Sequence, residues 1–427
     1  MNNNASLRIP RPAAFDILRS SRKTQTMKTL LLLLTVASYA YPAHLILKYK
    51  LELRDPSHVK NPDGQFTNVF ARAINGGGDI TGTVNGTCGA KPCNVAFFWA
   101  GQGHNPLLVI STQSNYTACP FPGVIDNQQR VYCEHLMVGF ARSKTSLKLR
   151  QCSPNDVAKY LNLRATALNG WGLATVNPGI VESGKKIYAR ALLFKMKGDE
   201  ESGCSLDESG PFAGGGDGWN VYVAGLSNGF ATGWTADFPE DFDNHGQDES
   251  NLPGAAALWL DRTKPPKLLP KTPEGLRPQS GRAVNDRGWV VGQTINQAQW
   301  WSGSGAKAFV SRPTLFGGYR TELLPPVENG DYGYAADAVN HAGIILGGFK
   351  GGSSAGLWKR VHHKWKAVDL NDRKRVMIVE FNPKLCPDLR FVEADAINDA
   401  GQITGRAQCT ANAQNGPFRV FRLTPER

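Results

Sequence analysis

This 427-residue chain has no apolar run approaching the roughly 20 residues needed to cross a bilayer, which argues against a transmembrane helix. Its eight cysteines include no Cys-x-x-Cys pair, so a zinc site of the common kind has nothing to build on. The glycine-rich run at 214–218 lacks both the lysine and the following helix of a phosphate loop, and reads as a flexible link. His104, His135 and the pair His362-His363 are isolated, without a third ligand at metal spacing. Acidic residues are the scarcer charge, 36 against 48 basic, for a formal net charge of +12.

What the chain does have is a repeat. Ala73-Ile74-Asn75, Ala167-Leu168-Asn169, Gly225-Leu226-Ser227, Ala283-Val284-Asn285, Ala338-Val339-Asn340 and Ala396-Ile397-Asn398 are six versions of one tripeptide. Their third residues are spaced by 94, 58, 58, 55 and 58 positions, a regularity that marks a repeat architecture. In the last version small and apolar residues alternate on both sides of Asn398-Asp399-Ala400-Gly401, the pattern of a β-hairpin. Asn and Asp bond their own backbone in such turns, and Gly supplies the positive φ. A second glycine seven residues past the Asn recurs in four copies, at 82, 292, 347 and 405, and predicts a place where backbones crowd; Val176 stands there after Asn169.

A third apolar strand follows, as in Ala96-Phe97-Phe98-Trp99, Ala256-Ala257-Leu258-Trp259 and Ala355-Gly356-Leu357-Trp358, and then a fourth in several copies. Four short antiparallel strands in about 58 residues describe a β-propeller blade. The sixth copy runs out of chain before its fourth strand, while residues 45–53 form a strand-like run with nothing ahead of it. The expectation is therefore an all-β propeller of about six four-stranded blades, closed by the N-terminal strand. The 94-residue gap reads as an insertion around 111–153, with a degenerate seventh blade as the alternative.

The combined pattern of Ala-Ile-Asn, Gly and Ala-Phe-Trp resembles the HAF-type repeats of bacterial extracellular proteins, over roughly residues 45–423. The resemblance implies a secreted or envelope protein and carries over no catalytic residue.

Residues 1–40 carry the parts of a signal peptide: Met27-Lys28-Thr29, an apolar core at 30–34, and Ser38-Tyr39-Ala40 as the exit. Met27 reads as the initiator, and 41–427 as the propeller. Removing the first 40 residues takes away six bases and one acid, leaving 42 against 35, or +7. An even count of cysteines in an exported chain argues for disulfides. Proximity suggests Cys88–Cys93, Cys119–Cys133 and Cys386–Cys409, with Cys152 and Cys204 left to pair.

Few residues invite a chemical reading. Gly225-Leu226-Ser227-Asn228-Gly229 matches a serine-hydrolase elbow, but Ser227 stands where the repeat has Asn and a strand follows it. Asp241, Asp243 and Asp248 lie in the densest acidic stretch and could supply carboxylate oxygens to Ca²⁺; no other cofactor is implied. A basic cluster from Lys359 to Arg375 surrounds Trp365 and reads as a solvated blade edge, with nucleic acid disfavoured by export. The expected function is a monomeric, non-catalytic module in the periplasm or outside the cell, binding a glycan or an envelope protein. The alternative is a polysaccharide hydrolase or lyase with paired carboxylates at the channel mouth.

Overall fold

The computed structural model describes residues 45–426 apart from 59–63, 89–90, 102–106, 110–122, 134–136, 144–145, 152–163, 170–171, 183–185, 200–202, 215–218, 238–254, 296–304, 328–331, 350–353, 380 and 410–417. Among the described residues the regular structure is strand, apart from two single 3-10 turns. The strands form six four-stranded sheets and one five-stranded sheet. Consecutive sheets touch in chain order, and the last touches the first, which closes a ring. The propeller expected from the repeat is what the chain forms.

Blade 1 comprises Gly64–Ile74, Ile80–Cys88, Lys91–Trp99 and Leu108–Val109. Blades 3, 4, 5 and 6 begin with the inner strands Arg164–Asn169, Trp219–Ser227, Arg277–Val284 and Ala335–Val339. Each inner strand ends at or just before the repeat Asn or Ser. The closing blade stacks Arg390–Ile397, Ile403–Gln408 and Phe418–Pro425 against the N-terminal strand Leu47–Arg54. That strand pairs antiparallel with Phe418–Pro425, so the two chain ends complete one blade as predicted. A fifth strand, Val376–Val379, adds in parallel on its outer side.

The long first gap holds a sheet of its own, which makes the closing blade the seventh. Val124–Ile125, Arg130–Tyr132, Met137–Ser143 and Ser146–Gln151 form four antiparallel strands. This blade 2 sits between blades 1 and 3. The seven-blade alternative thus accounts for every sheet, and the segment read as an insertion is a blade with a degenerate repeat.

Trp99, Trp259 and Trp358 are fully buried, each at the same place on a third strand. Trp259 and Trp358 donate their Nε1–H groups to the carbonyls of Ala213 and Pro325, both at 2.8 Å, on the chain that links successive blades. A buried indole keeps its polar handle paired in this way. The crowding predicted at the second-strand glycines is also present. A Cβ on Gly82, Gly292, Gly347 or Gly405 would lie within 2.0 Å of the carbonyl oxygen of Phe70, Ser280, Ala335 or Glu393 on the inner strand.

Cys386–Cys409 is a disulfide within the closing blade, as proximity suggested. Cys93, Cys133 and Cys204 are disulfide-bonded as well. The side chains of Cys88, Cys119 and Cys152 lie outside the described residues, as do the signal segment and Asp241, Asp243 and Asp248. No group of three His, Cys, Asp or Glu residues among those described could hold a metal ion.

Candidate active site in the central channel

The innermost strands wall the channel, and all but one share a defect that turns a side chain out of the ladder. Ala71 pairs with Gly82 and Ala73 with Thr81, so Arg72 is skipped. The same bulge skips Thr166, Ala224, Arg282, Asp337 and Asp395 in blades 3, 4, 5, 6 and 7. Each skipped residue stands three before the repeat Asn or Ser. A bulge re-aims one side chain and sharpens the local twist. In five of the six blades a second-strand glycine accommodates it: that glycine pairs with the residue just before the bulge, and the displaced carbonyl occupies the space a Cβ would need; blade 3 has Thr175 there instead. Glycine and bulge are two halves of one device.

Four of these six channel residues are charged. In ring order they read Arg282, Asp337, Asp395 and Arg72, from blades 5, 6, 7 and 1. Arg282 forms an ion pair with Asp337 of the next blade, and its other nitrogen donates to Gln293 Oε1 at 2.9 Å. Glu393, on the same strand as Asp395, is paired with Arg406.

Asp395 has no such support. Its Oδ2 is shielded and finds no hydrogen-bond partner among the described residues. Desolvation raises its pKa from 3.8 to about 8; Glu393 and Asp337 push the same way, and Arg72 and Arg406 oppose them. Burial penalises the charged form, and like charges add to the penalty. Two carboxyls on adjacent inner strands thus sit in unlike surroundings: Asp337 is ion-paired with Arg282, while burial holds Asp395 protonated at neutral pH.

One end of this wall is braced by the repeat asparagines. Asn285 Nδ2 donates to the carbonyl of Asn340 at 3.0 Å, Asn340 to Asn398 at 3.2 Å, and Asn398 to Asn75 at 2.9 Å. Asn75 continues the relay to the carbonyl of Asp126 at 2.8 Å. Each Asn also accepts from the backbone N–H four residues on, which closes its own turn. The tripeptide is therefore a repeated brace between blades and not a repeated catalytic site.

Asp126 is the missing seventh member. Its Oδ1 accepts from the N–H groups of Gln128 and Arg130, both at 2.9 Å, as a turn-closing Asn does. Gln129 takes the turn glycine's place at φ 61°. A carboxylate cannot donate onward, so Asp126 instead pairs with Arg130 and accepts from the Tyr132 hydroxyl at 3.1 Å.

None of these channel charges was singled out by reading the sequence, although a signal exists. Arg72, Arg282, Asp337 and Asp395 are charges flanked on both sides by Ala or Gly within an otherwise apolar strand. Ser227 ends a strand and leads through a tight turn into Phe230–Asp237, so no nucleophile elbow forms. His362 and His363 are the two turn residues of a hairpin, both at positive φ, and the cluster around them lies on the outermost strands of blade 6 as the edge reading expected.

No family model matches the chain, and no curated protein matches it. Among solved structures the similarities are faint. An α-L-arabinofuranosidase from Podospora anserina solved with cellotriose is 8% identical, with a TM-score of 0.29 over 90% of this chain and 98% of its own. A mannose phosphorylase from Leishmania mexicana is 10% identical, with a TM-score of 0.26 over 93% and 92%. A sialidase from Streptococcus pneumoniae is 9% identical, with a TM-score of 0.24 over 92% and 72%.

Proposed function

We propose that the protein is a glycan-cleaving enzyme, exported from the cytoplasm, whose general acid is Asp395 and whose base or nucleophile is Asp337. The observation that carries this reading is the contrast between two carboxyls on adjacent inner strands, one ion-paired with Arg282 and one whose Oδ2 is buried with no hydrogen-bond donor among the described residues. Glycosidic cleavage needs that division of labour. A neutral acid protonates the departing oxygen, while an ionised carboxylate activates water or attacks the anomeric carbon itself. Arg72, facing the same channel from blade 1, supplies a cation against which substrate hydroxyl or carboxylate groups orient. A non-catalytic glycan-binding module would need neither carboxyl in a special protonation state.

The test is a product assay on a panel of polysaccharides, with Asp395→Asn and Asp337→Asn beside the parent. Turnover is expected with a kcat/KM profile that falls on a basic limb near Asp395's raised pKa of about 8. Asp395→Asn is expected to lose on the order of 10²–10⁴-fold. A structural readout runs alongside. Between 3.8 and about 8 the folded protein holds a proton that the unfolded chain releases, so stability falls as pH rises through that window. Asp395→Asn should flatten that slope. Glycan binding without any product, at every pH, would reject catalysis and leave the binding module.

A further inference from the structure

Strands alternate in direction within each blade, so the first-to-second and third-to-fourth turns all emerge on one face of the ring. On that face the third-to-fourth turn of blade 5, between Ala308–Pro313 and Tyr319–Leu323, carries an unusual tip. Leu315 is 100% exposed and Phe316 98%, the two most exposed large apolar side chains among the described residues. The turn that presents them is well fixed. Thr314 N–H donates to the Gly318 carbonyl at 2.8 Å, Gly317 N–H returns to the Thr314 carbonyl at 3.1 Å, and Gly317 takes φ +79°. Isolated exposed apolar residues are ordinary, but an adjacent Leu-Phe pair held wholly in solvent on a rigid turn is not.

The surroundings are basic. Arg320 follows on the outer strand of blade 5 and is exposed. The matching hairpin of blade 6, Ser354–Val361 with Lys364–Asp369, stands alongside and brings exposed Lys364 and Lys366. Trp365 Nε1 donates across to Glu322 Oε1 at 2.8 Å, which fixes the two hairpins side by side. Arg312, Arg320 and Arg360 are close enough that Arg312 feels the charge of both others. The basic cluster read from the sequence thus flanks an apolar prong.

We propose that this prong docks the protein on an anionic lipid surface, with Leu315 and Phe316 entering the interface and Arg320, Lys364 and Lys366 meeting the headgroups. Neither element suffices alone. A short apolar insertion gives marginal binding, and a few bases give a weak, salt-screened attraction; stable attachment needs the two together. Because the tip is held by turn hydrogen bonds, insertion requires no refolding. The docked face is also the one where the asparagine turns emerge, so the membrane would lie against one mouth of the channel. This inference does not depend on the catalytic reading, since none of its residues lies in the channel.

Flotation of the purified protein with phosphatidylcholine vesicles, with and without phosphatidylglycerol, tests it. Binding is expected only with the anionic lipid, released by added salt. The double variant Leu315→Ser/Phe316→Ser should bind at least roughly tenfold more weakly with its melting temperature unchanged. Lys364→Glu should weaken binding about fivefold or more. Parent protein that ignores anionic vesicles, or a double variant that binds them as well as the parent, overturns the proposal. So does a dimer, seen by sedimentation without vesicles, that the double variant abolishes, since the prong would then serve a second copy of this chain.

Discussion

The seam between blades 7 and 1 and the inserted blade 2 solve the same problem with different means. At the seam, Arg422 is buried to 2% exposure on the strand Phe418–Pro425. It pairs with Glu52 of the N-terminal strand, donates to the carbonyls of Gly78 and Ala100 at 3.0 and 3.3 Å, and lies 4.7 Å over the Trp99 ring. Arg54 covers the same ring at 4.8 Å. One guanidinium therefore ties the first strand, the last strand and blade 1 together. Blade 2 has no such knot among the described residues. Its turn is held by Asp126, Arg130 and Tyr132 from within the blade; Asn75 of blade 1 donates to Asp126, Asn127 accepts from Gly76, Gln129 donates to Asp79, and the Tyr132 hydroxyl reaches Met196 of blade 3. The junction where the first and last strands meet carries a buried charged knot; the turn of blade 2 is held without one among the described residues.

The largest expected effect breaks the first half of that contrast. Arg422→Ala leaves Glu52 with only the neighbouring Arg54 and takes a donor from each of two carbonyls, a loss of about 3–5 kcal/mol for a buried pair cut on one side. Arg130→Ala, at side-chain exposures of 21% for Arg130 and 13% for Asp126, should cost about 1 kcal/mol. Urea unfolding of both variants checks this. Equal costs would mean that the seam is no more dependent on its arginine than blade 2 is on its own.

This contrast was half legible in the sequence. The strand at 45–53, short of a partner, and the sixth repeat, short of a strand, fit each other by length alone, and the closure follows from counting. Arg422 itself does not stand out, because its burial depends on Gly78, Trp99 and Glu52 arriving from other parts of the chain. Blade 2 stood only as the alternative reading because its turn keeps the backbone of the repeat while exchanging both signature residues, Asp126 for Asn and Gln129 for Gly. The channel charges escaped for a different reason. Position three before the Asn varies freely among Arg, Thr, Ala and Asp, since the side chain it displaces does not set the bulge; in five of six blades the facing strand carries a glycine there.

The next effect separates covalent from noncovalent closure. Cys386–Cys409 spans 23 residues, and replacing both cysteines by Ala should cost about 3 kcal/mol through the unfolded chain. Both cysteines belong to blade 7, so the disulfide stiffens the blade without crossing the seam. The double variant should therefore melt earlier while its protection at the Leu47–Arg54 amides, read by hydrogen exchange, falls no more than elsewhere. Selective loss there would show that the seam needs the covalent link after all.

The smallest effect exchanges the two solutions directly. Asn398→Asp puts a carboxylate against the carbonyl of Asn75, where the relay has a donor at 2.9 Å. It also removes the donor to Gln402 Oε1 at 2.8 Å. A buried acceptor left facing acceptors costs about 1–3 kcal/mol, and the cost should grow above the ordinary carboxyl pKa as the new group ionises. Asp126→Asn does the reverse. It gives up the ion pair with Arg130 but keeps the turn, because Oδ1 still accepts from Gln128 and Arg130. Its new amide also gains a donor that the carboxylate lacked. Gain and loss are each about 1 kcal/mol, so the net change should stay within about that amount of zero. Thermal melts of the two reciprocal variants at neutral and acidic pH decide the point. If Asp126→Asn destabilises as much as Asn398→Asp, then blade 2 depends on its carboxylate as strictly as the other blades depend on their amides.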